Sequence, residues 1–111
     1  MTEQILRRGD VVMAPFGAEQ FCPVIILSDG LYNQKSGTII GVPLFKHKST
    51  THFPLAHTMS KTIEGSQYWA KPGQIKTFSA LSLGYVIGHA ENYDLDRILS
   101  GLHEIIGDPL K

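Results

Sequence analysis

The sequence predicts a mainly β domain: a small, strongly bent sheet or barrel of about five to seven short strands closed by one C-terminal helix. Three observations point there. Apolar residues gather in runs of strand length rather than helix length. Clusters of Gly, Pro, Asn, Asp and Ser separate these runs. Only the last part of the chain carries a helical apolar period.

The elements follow in order. Residues 9–14 read as a first strand, ended by Pro15 and the Phe16-Gly17 turn, with Gly9-Asp10 itself a turn. Residues 22–28 form a continuous apolar run and are expected to be a strand buried on both faces. Asp29-Gly30 and residues 33–37 supply turn formers. Residues 38–44 read as a third strand, with Gly41 a bulge or close approach and Pro43 near its end. A weaker strand spans 52–59, confined to an edge by Pro54, and residues 60–73 read as loop. Residues 74–78 alternate, and 83–87 read as the closing strand. In the tail, Leu95, Ile98, Leu99, Leu102, Ile105 and Ile106 fall on one helical stripe expected to dock on the sheet. Asn92 is the expected N-cap, Asp94 and Asp96 fill the first turn, and Gly107 and Pro109 end the helix.

At 111 residues the chain is expected to be one domain, 1–111, large enough to bury a core. Its longest apolar run, 23–27, is far below the ~20 residues of a membrane span, and no secretory h-region precedes it, so a cytoplasmic location is expected. The lone Cys22 excludes an internal disulfide and a cysteine-based zinc cage, and reads as a small buried thiol. His47, His52 and His57 are spaced by five, which alternates faces along a strand, so no metal site and no cofactor is expected.

Ten basic and ten acidic residues cancel only in total. Residues 1–32 carry −2, residues 33–76 carry +5 with Glu64 the one acid, and residues 88–111 carry −3. A basic middle beside an acidic tail suits a polyanion. Metal-free cleavage of RNA needs only a base, an acid and a cation, because RNA supplies its own 2′-OH nucleophile.

Several motifs in order resemble the MazF/PemK toxin family, with its Kid and CcdB relatives. They are Arg8-Gly9-Asp10-Val11-Val12, Pro23-Val24-Ile25-Ile26-Leu27-Ser28, Asn33, Val42-Pro43-Leu44, Gln74-Ile75-Lys76-Thr77 and the closing segment from Gly88 to Leu99. The resemblance covers residues 7–107 and implies an SH3-like β-barrel with the helix packed on it, in a homodimer. It also implies the toxin of a type II toxin–antitoxin pair that cuts single-stranded RNA without metal, or, as in the CcdB branch, poisons DNA gyrase. An antitoxin would lay an acidic tail over the basic groove. Departures from the pattern are specific. The arginine before the proline is Cys22, the threonine after the third strand is Phe45, the arginine of the Q-[IV]-R-T motif is Lys76, and the acid that follows is Ser79. Lys76, Thr77, His47 and Ser49 are the expected catalytic candidates, with Thr50 and Lys46 beside them. Lys46, Lys48, Gln74 and Lys76 are the expected nucleic-acid contacts. Two classes remain open: an endoribonuclease, or a non-catalytic module binding nucleic acid, antitoxin or gyrase on the same barrel.

Overall fold

The computed structural model describes residues 6–17, 20–46 and 56–107. Seven strands form one antiparallel sheet that curls into a half-barrel. They are β1 (Asp10–Pro15), β2 (Phe21–Ile26), β3 (Thr38–Phe45), β4 (His57–Thr58), β5 (Trp69–Ala70), β6 (Lys76–Ser79) and β7 (Val86–His89). The path runs β4-β5-β3-β2-β1-β7, and β6 also pairs with β3. Two helices accompany it, α1 (Gly30–Ser36) and α2 (Asn92–Ile106).

Strand alternation sends each second side chain to the same face, and here both faces are covered. Val11, Ile25, Val42 and Leu44 enter a first core with Met59, Ile63, Tyr68 and Ala70, roofed by Leu95 and Ile98 of α2. Val12, Ala14, Val24, Ile26, Ile39 and Phe78 form a second core on the other face. The run at 22–28 is therefore apolar throughout because β2 is buried on both sides, as its lack of alternation implies. Gly41 is a close approach rather than a bulge: a Cβ there would lie 2.4 Å from Val24 Cγ1 and 2.8 Å from the Ile25 carbonyl.

Several elements differ from expectation. The turn-forming stretch after Asp29 is helix α1. The Asp29 carboxylate caps it by accepting from Leu31 N at 3.0 Å, and Gly37 ends it in the left-handed region (φ 71°). Its one buried residue, Asn33, donates from Nδ2 to the Leu6 carbonyl at 3.0 Å and the Ser28 carbonyl at 3.2 Å, while Ser28 Oγ donates to its Oδ1. Tertiary bonds thus hold a helix too short to be stable alone. Residues 60–73 hold β5, which pairs with the end of β3. Of the expected strand at 52–59, β4 is the described part and lies at the sheet edge, while 52–55, with Pro54, fall outside the described residues. The closing strand starts at Val86, because Ser79 to Leu83 turns instead: Ser79 Oγ accepts from Leu81 N at 3.3 Å and Ser82 Oγ donates to the Ser79 carbonyl at 2.7 Å.

Helix α2 is capped by Glu91, with Asn92 its first residue, and Glu91 gives no side-chain cap. It pairs instead with Lys61. Asp94, read from the sequence as a first-turn acid, is buried. It accepts from Ser60 Oγ at 2.6 Å and Ser60 N at 3.1 Å, and faces His57 Nε2 at 2.8 Å. The apolar stripe is wider than the surface it covers: Ile98 is fully buried, whereas Leu99 is 40% and Ile106 74% exposed. Ile98→Ala should therefore cost about 2–5 kcal/mol in denaturant unfolding, and Leu99→Ala no more than about 1 kcal/mol. Equal losses would mean that α2 docks by a different face.

Candidate functional site

The double burial stops where the strands end, and those ends meet. β1 runs out at Pro15 and Phe16, β2 starts at Phe21 and Cys22, β3 finishes at Phe45, and β6 starts at Lys76. Alternation places Phe16 with Val12 and Ala14, Cys22 with Val24 and Ile26, Phe45 with Ile39 and Gly41, and Lys76 with Phe78. Phe16 and Cys22 pack, half-buried, at the rim of the second core. Phe45 and Trp69 are direct partners in the β3–β5 ladder, so their side chains share this face.

The rim is a platform of rings and ammonium groups. Phe16 and Phe45 meet edge to face, with centroids 5.7 Å apart at 76°. Lys71 Nζ stands 4.4 Å from the Phe45 centroid. Lys76 Nζ is 5.4 Å from Phe78 and 5.7 Å from Phe16. Such contacts are worth about 0.5–1 kcal/mol each at exposed sites, so the lysines rest on the rings and are not locked there. Burial pushes the Cys22 thiol up, and the nearby Lys76 ammonium partly offsets this.

Of the expected residues, Lys76 lies on this platform. Lys46 is exposed just after Phe45, and Gln74 is exposed on the 3-10 turn Pro72–Gln74 two residues before Lys76. Thr77, exposed and between Lys76 and Phe78 on β6, takes the opposite face of that strand. His47, Lys48, Ser49 and Thr50 lie outside the described residues. Ser79 spends its hydroxyl as the cap of the following turn.

Sequence reasoning counted Lys71 only as charge, Phe45 only as a missing hydroxyl, and passed over Phe16 and Trp69 as site residues. The spacing Lys76-x-Phe78 was the available signal, since residues two apart on a strand share a face; Lys71 lies just past the two-residue β5 and carries no such signal.

Carboxylates and described histidines lie elsewhere. His57 is bonded to Asp94 on the first-core side, and His89 Nδ1 to Asp10 Oδ1 at 2.9 Å. Glu64, the acid of the basic segment, lines a depression with Gly88, His89 and Glu91. Among the described residues no group of three or more His, Cys, Asp or Glu could hold a metal ion. No described helix is long and apolar enough to cross a membrane. The platform can bind phosphate through lysine point charges and flat rings through its aromatics.

The sequence pattern described as PemK-like, MazF-like toxin of type II toxin-antitoxin system matches residues 7–106. No curated protein sequence matches. Among solved structures, MazF from Deinococcus radiodurans superposes with a TM-score of 0.82 at 16% identity, covering 96% of this chain and 100% of that one. An endoribonuclease in complex with its cognate antitoxin from a mycobacterial species gives 0.77 at 20% identity, covering 96% and 98%. A MazE-MazF complex from D. radiodurans gives 0.79 at 17%, covering 95% and 98%. These likenesses show the fold.

The arrangement around Cys22 can be checked by its alkylation with iodoacetamide as a function of pH. The midpoint should lie above that of an ordinary thiol. Lys76→Ala should move it further up, because the cation that favours the thiolate is removed. A midpoint that stays in place would put the Lys76 ammonium away from Cys22.

Proposed function

The chain belongs to the PemK-like, MazF-like toxins of type II toxin–antitoxin systems, and from that premise we propose that its lysine–aromatic platform binds single-stranded RNA. The observation that carries this reading is the convergence of Lys71 and Lys76 on one ring-lined face where the described residues place no carboxylate. Lys46 and Gln74 extend it along the same rim. We further propose that 1–111 is a single domain working in the cytoplasm, and that the acidic tail of an antitoxin covers the same face. The complexes recorded for the mycobacterial endoribonuclease and for the Deinococcus MazF support that partner.

Cleavage is proposed to be weak. At the position where the resemblance expects an arginine stands Cys22, whose thiol burial keeps neutral, so no guanidinium fork clamps the scissile phosphate. Phe45 replaces the expected hydroxyl with a ring. Lys76 is the cation that any cleavage would use, with the segment holding His47 and Ser49 the candidate proton carriers; Thr77, on the opposite face of β6, is not among them.

Binding to a single-stranded RNA should fall steeply with salt, and Lys76→Ala should flatten the log–log slope by about 0.7, the share of one phosphate contact on a single strand. Any cleavage should persist in EDTA, and Cys22→Arg with Phe45→Thr should increase it. RNA left both unbound and uncut would overturn the reading and leave a protein target.

A homodimer is the proposed assembly. Exposed Phe21, Leu81 and Tyr85 support it, as does β7, which among the described strands pairs only with β1. Light scattering should return twice the 12.3 kDa chain mass; a monomer across micromolar concentrations would refute the assembly.

A further inference from the structure

Resting on that RNA reading, we propose that the platform holds an unpaired nucleobase by stacking on Phe45, between Trp69 and Phe16, and that it accepts bases with little regard to sequence. Lys71 and Lys76, which rest on ring faces in the free protein, turn to the phosphates on either side when the base arrives.

The argument starts from what occupies the rings. An ammonium 4.4 Å from the Phe45 centroid shows that one π-face of this ring is open to a cationic group carried on a flexible stem, not sealed by packing. Phe16 meets Phe45 in a T-shaped pair, with centroids 5.7 Å apart, so the two rings stand nearly perpendicular and do not stack on each other. Trp69 stands directly across the β3–β5 ladder and is half-buried, so a second aromatic surface borders the same space. A nucleobase fits this environment better than a carboxylate-bearing peptide, because it offers a flat π-face together with adjoining negative charge. Base stacking on an aromatic side chain exceeds a solvent-exposed lysine–ring contact, so the exchange of lysine for base is favourable. Lack of sequence preference follows from the donor set. Lysines contact phosphate as point charges, and every base has a π-face.

The test uses the full-length protein and two probes of equal length and charge: a short oligouridylate and an abasic phosphodiester. Trp69 is the single tryptophan, so its fluorescence reports on this face alone. Oligouridylate should bind about tenfold tighter than the abasic strand, which corresponds to the stacking of one base, and should quench Trp69. Oligoadenylate and oligocytidylate should bind within about threefold of it. Phe45→Leu, which keeps an apolar side chain, should bring the base preference close to one without changing the salt slope. Phe45→Tyr, which keeps the ring, should retain the preference. Lys71→Ala should flatten the slope and leave the preference intact. Equal binding of both probes by the unaltered protein, or a preference untouched by Phe45→Leu, overturns the stacking proposal while leaving RNA binding in place. Binding of neither probe overturns the RNA reading itself. An acidic peptide of the same charge should compete through the lysines, and its affinity should not change with Phe45→Leu; equal loss of peptide and oligouridylate binding in Phe45→Leu overturns the stacking proposal.

Discussion

The structure depends on one constraint: the central strands are buried on both faces at once. Val11, Val12, Val24, Ile25, Ile26 and Val42 have no exposed surface, and adjacent residues among them belong to different cores. A polar side chain in that position would have no partner and would cost about 1–3 kcal/mol unpaired. Even a methyl group is excluded at Gly41, where the β2 backbone comes too close. The two polar residues buried among the described residues, Asn33 and Asp94, sit where helices meet the sheet, and both are held by several hydrogen bonds. Chemistry is thereby driven off the middle of the sheet and onto the strand ends.

Those ends are built from weaker forces. A fully buried aliphatic side chain contributes about 1.5–3 kcal/mol, an exposed lysine–ring contact about 0.5–1 kcal/mol, and a stacked base about 1–3 kcal/mol. The scaffold can hold Phe45 and Trp69 in register while Lys71 and Lys76 remain free to change partners. An arginine at position 22 would behave differently. Its planar fork loses less freedom per hydrogen bond and grips a phosphate in one orientation. A small neutral thiol leaves phosphate contact to the lysines, which hold charge without fixing geometry. Catalysis demands that geometry, because a misplacement of about 1 Å can cost about a hundredfold in rate. Binding does not, and binding is what this rim is suited to.

The parts of the fold legible in the sequence are those with a long, unambiguous period. β1, β2 and β3 show as apolar runs of strand length, and α2 as a stripe ended by Gly107. Helix α1 was hidden because Gly30, Asn33 and Ser36 favour turns, and what makes it a helix is a cap plus the bonds of Asn33 to chain as far away as Leu6. Leu99 and Ile98 look alike in sequence, since a helical wheel gives the width of the apolar stripe but not of the surface that meets it. At the site, Cys22, Phe45 and Lys76 were readable as positions in motifs. Lys71 and Trp69 were not, because they reach Phe45 through a two-residue ladder that joins distant parts of the chain. Asp94 had the signature of an ordinary first-turn acid, and its role emerges only from Ser60 and His57, brought to it by the fold.

Zero net charge hides how the signs are arranged. Helix α2 carries Glu91, Asp94, Asp96 and Glu104 and packs through Leu95 and Ile98 on the first core, while Lys71 and Lys76 stand at the rim of the second. The sheet lies between these acids and Lys76, whereas Lys71 directly precedes Pro72, which meets α2 at Gly101 and lines a depression with Arg97 and Glu104. A packed layer of this kind is about 10 Å thick, against a screening length of about 8 Å at physiological salt. Exposed acids on α2 therefore do little to cancel the potential around Lys76, and a chain neutral in total keeps positive charge on that part of the platform. The fully buried sheet middle that denies the protein a polar centre is also what keeps Lys76 electrically apart from the acids of α2.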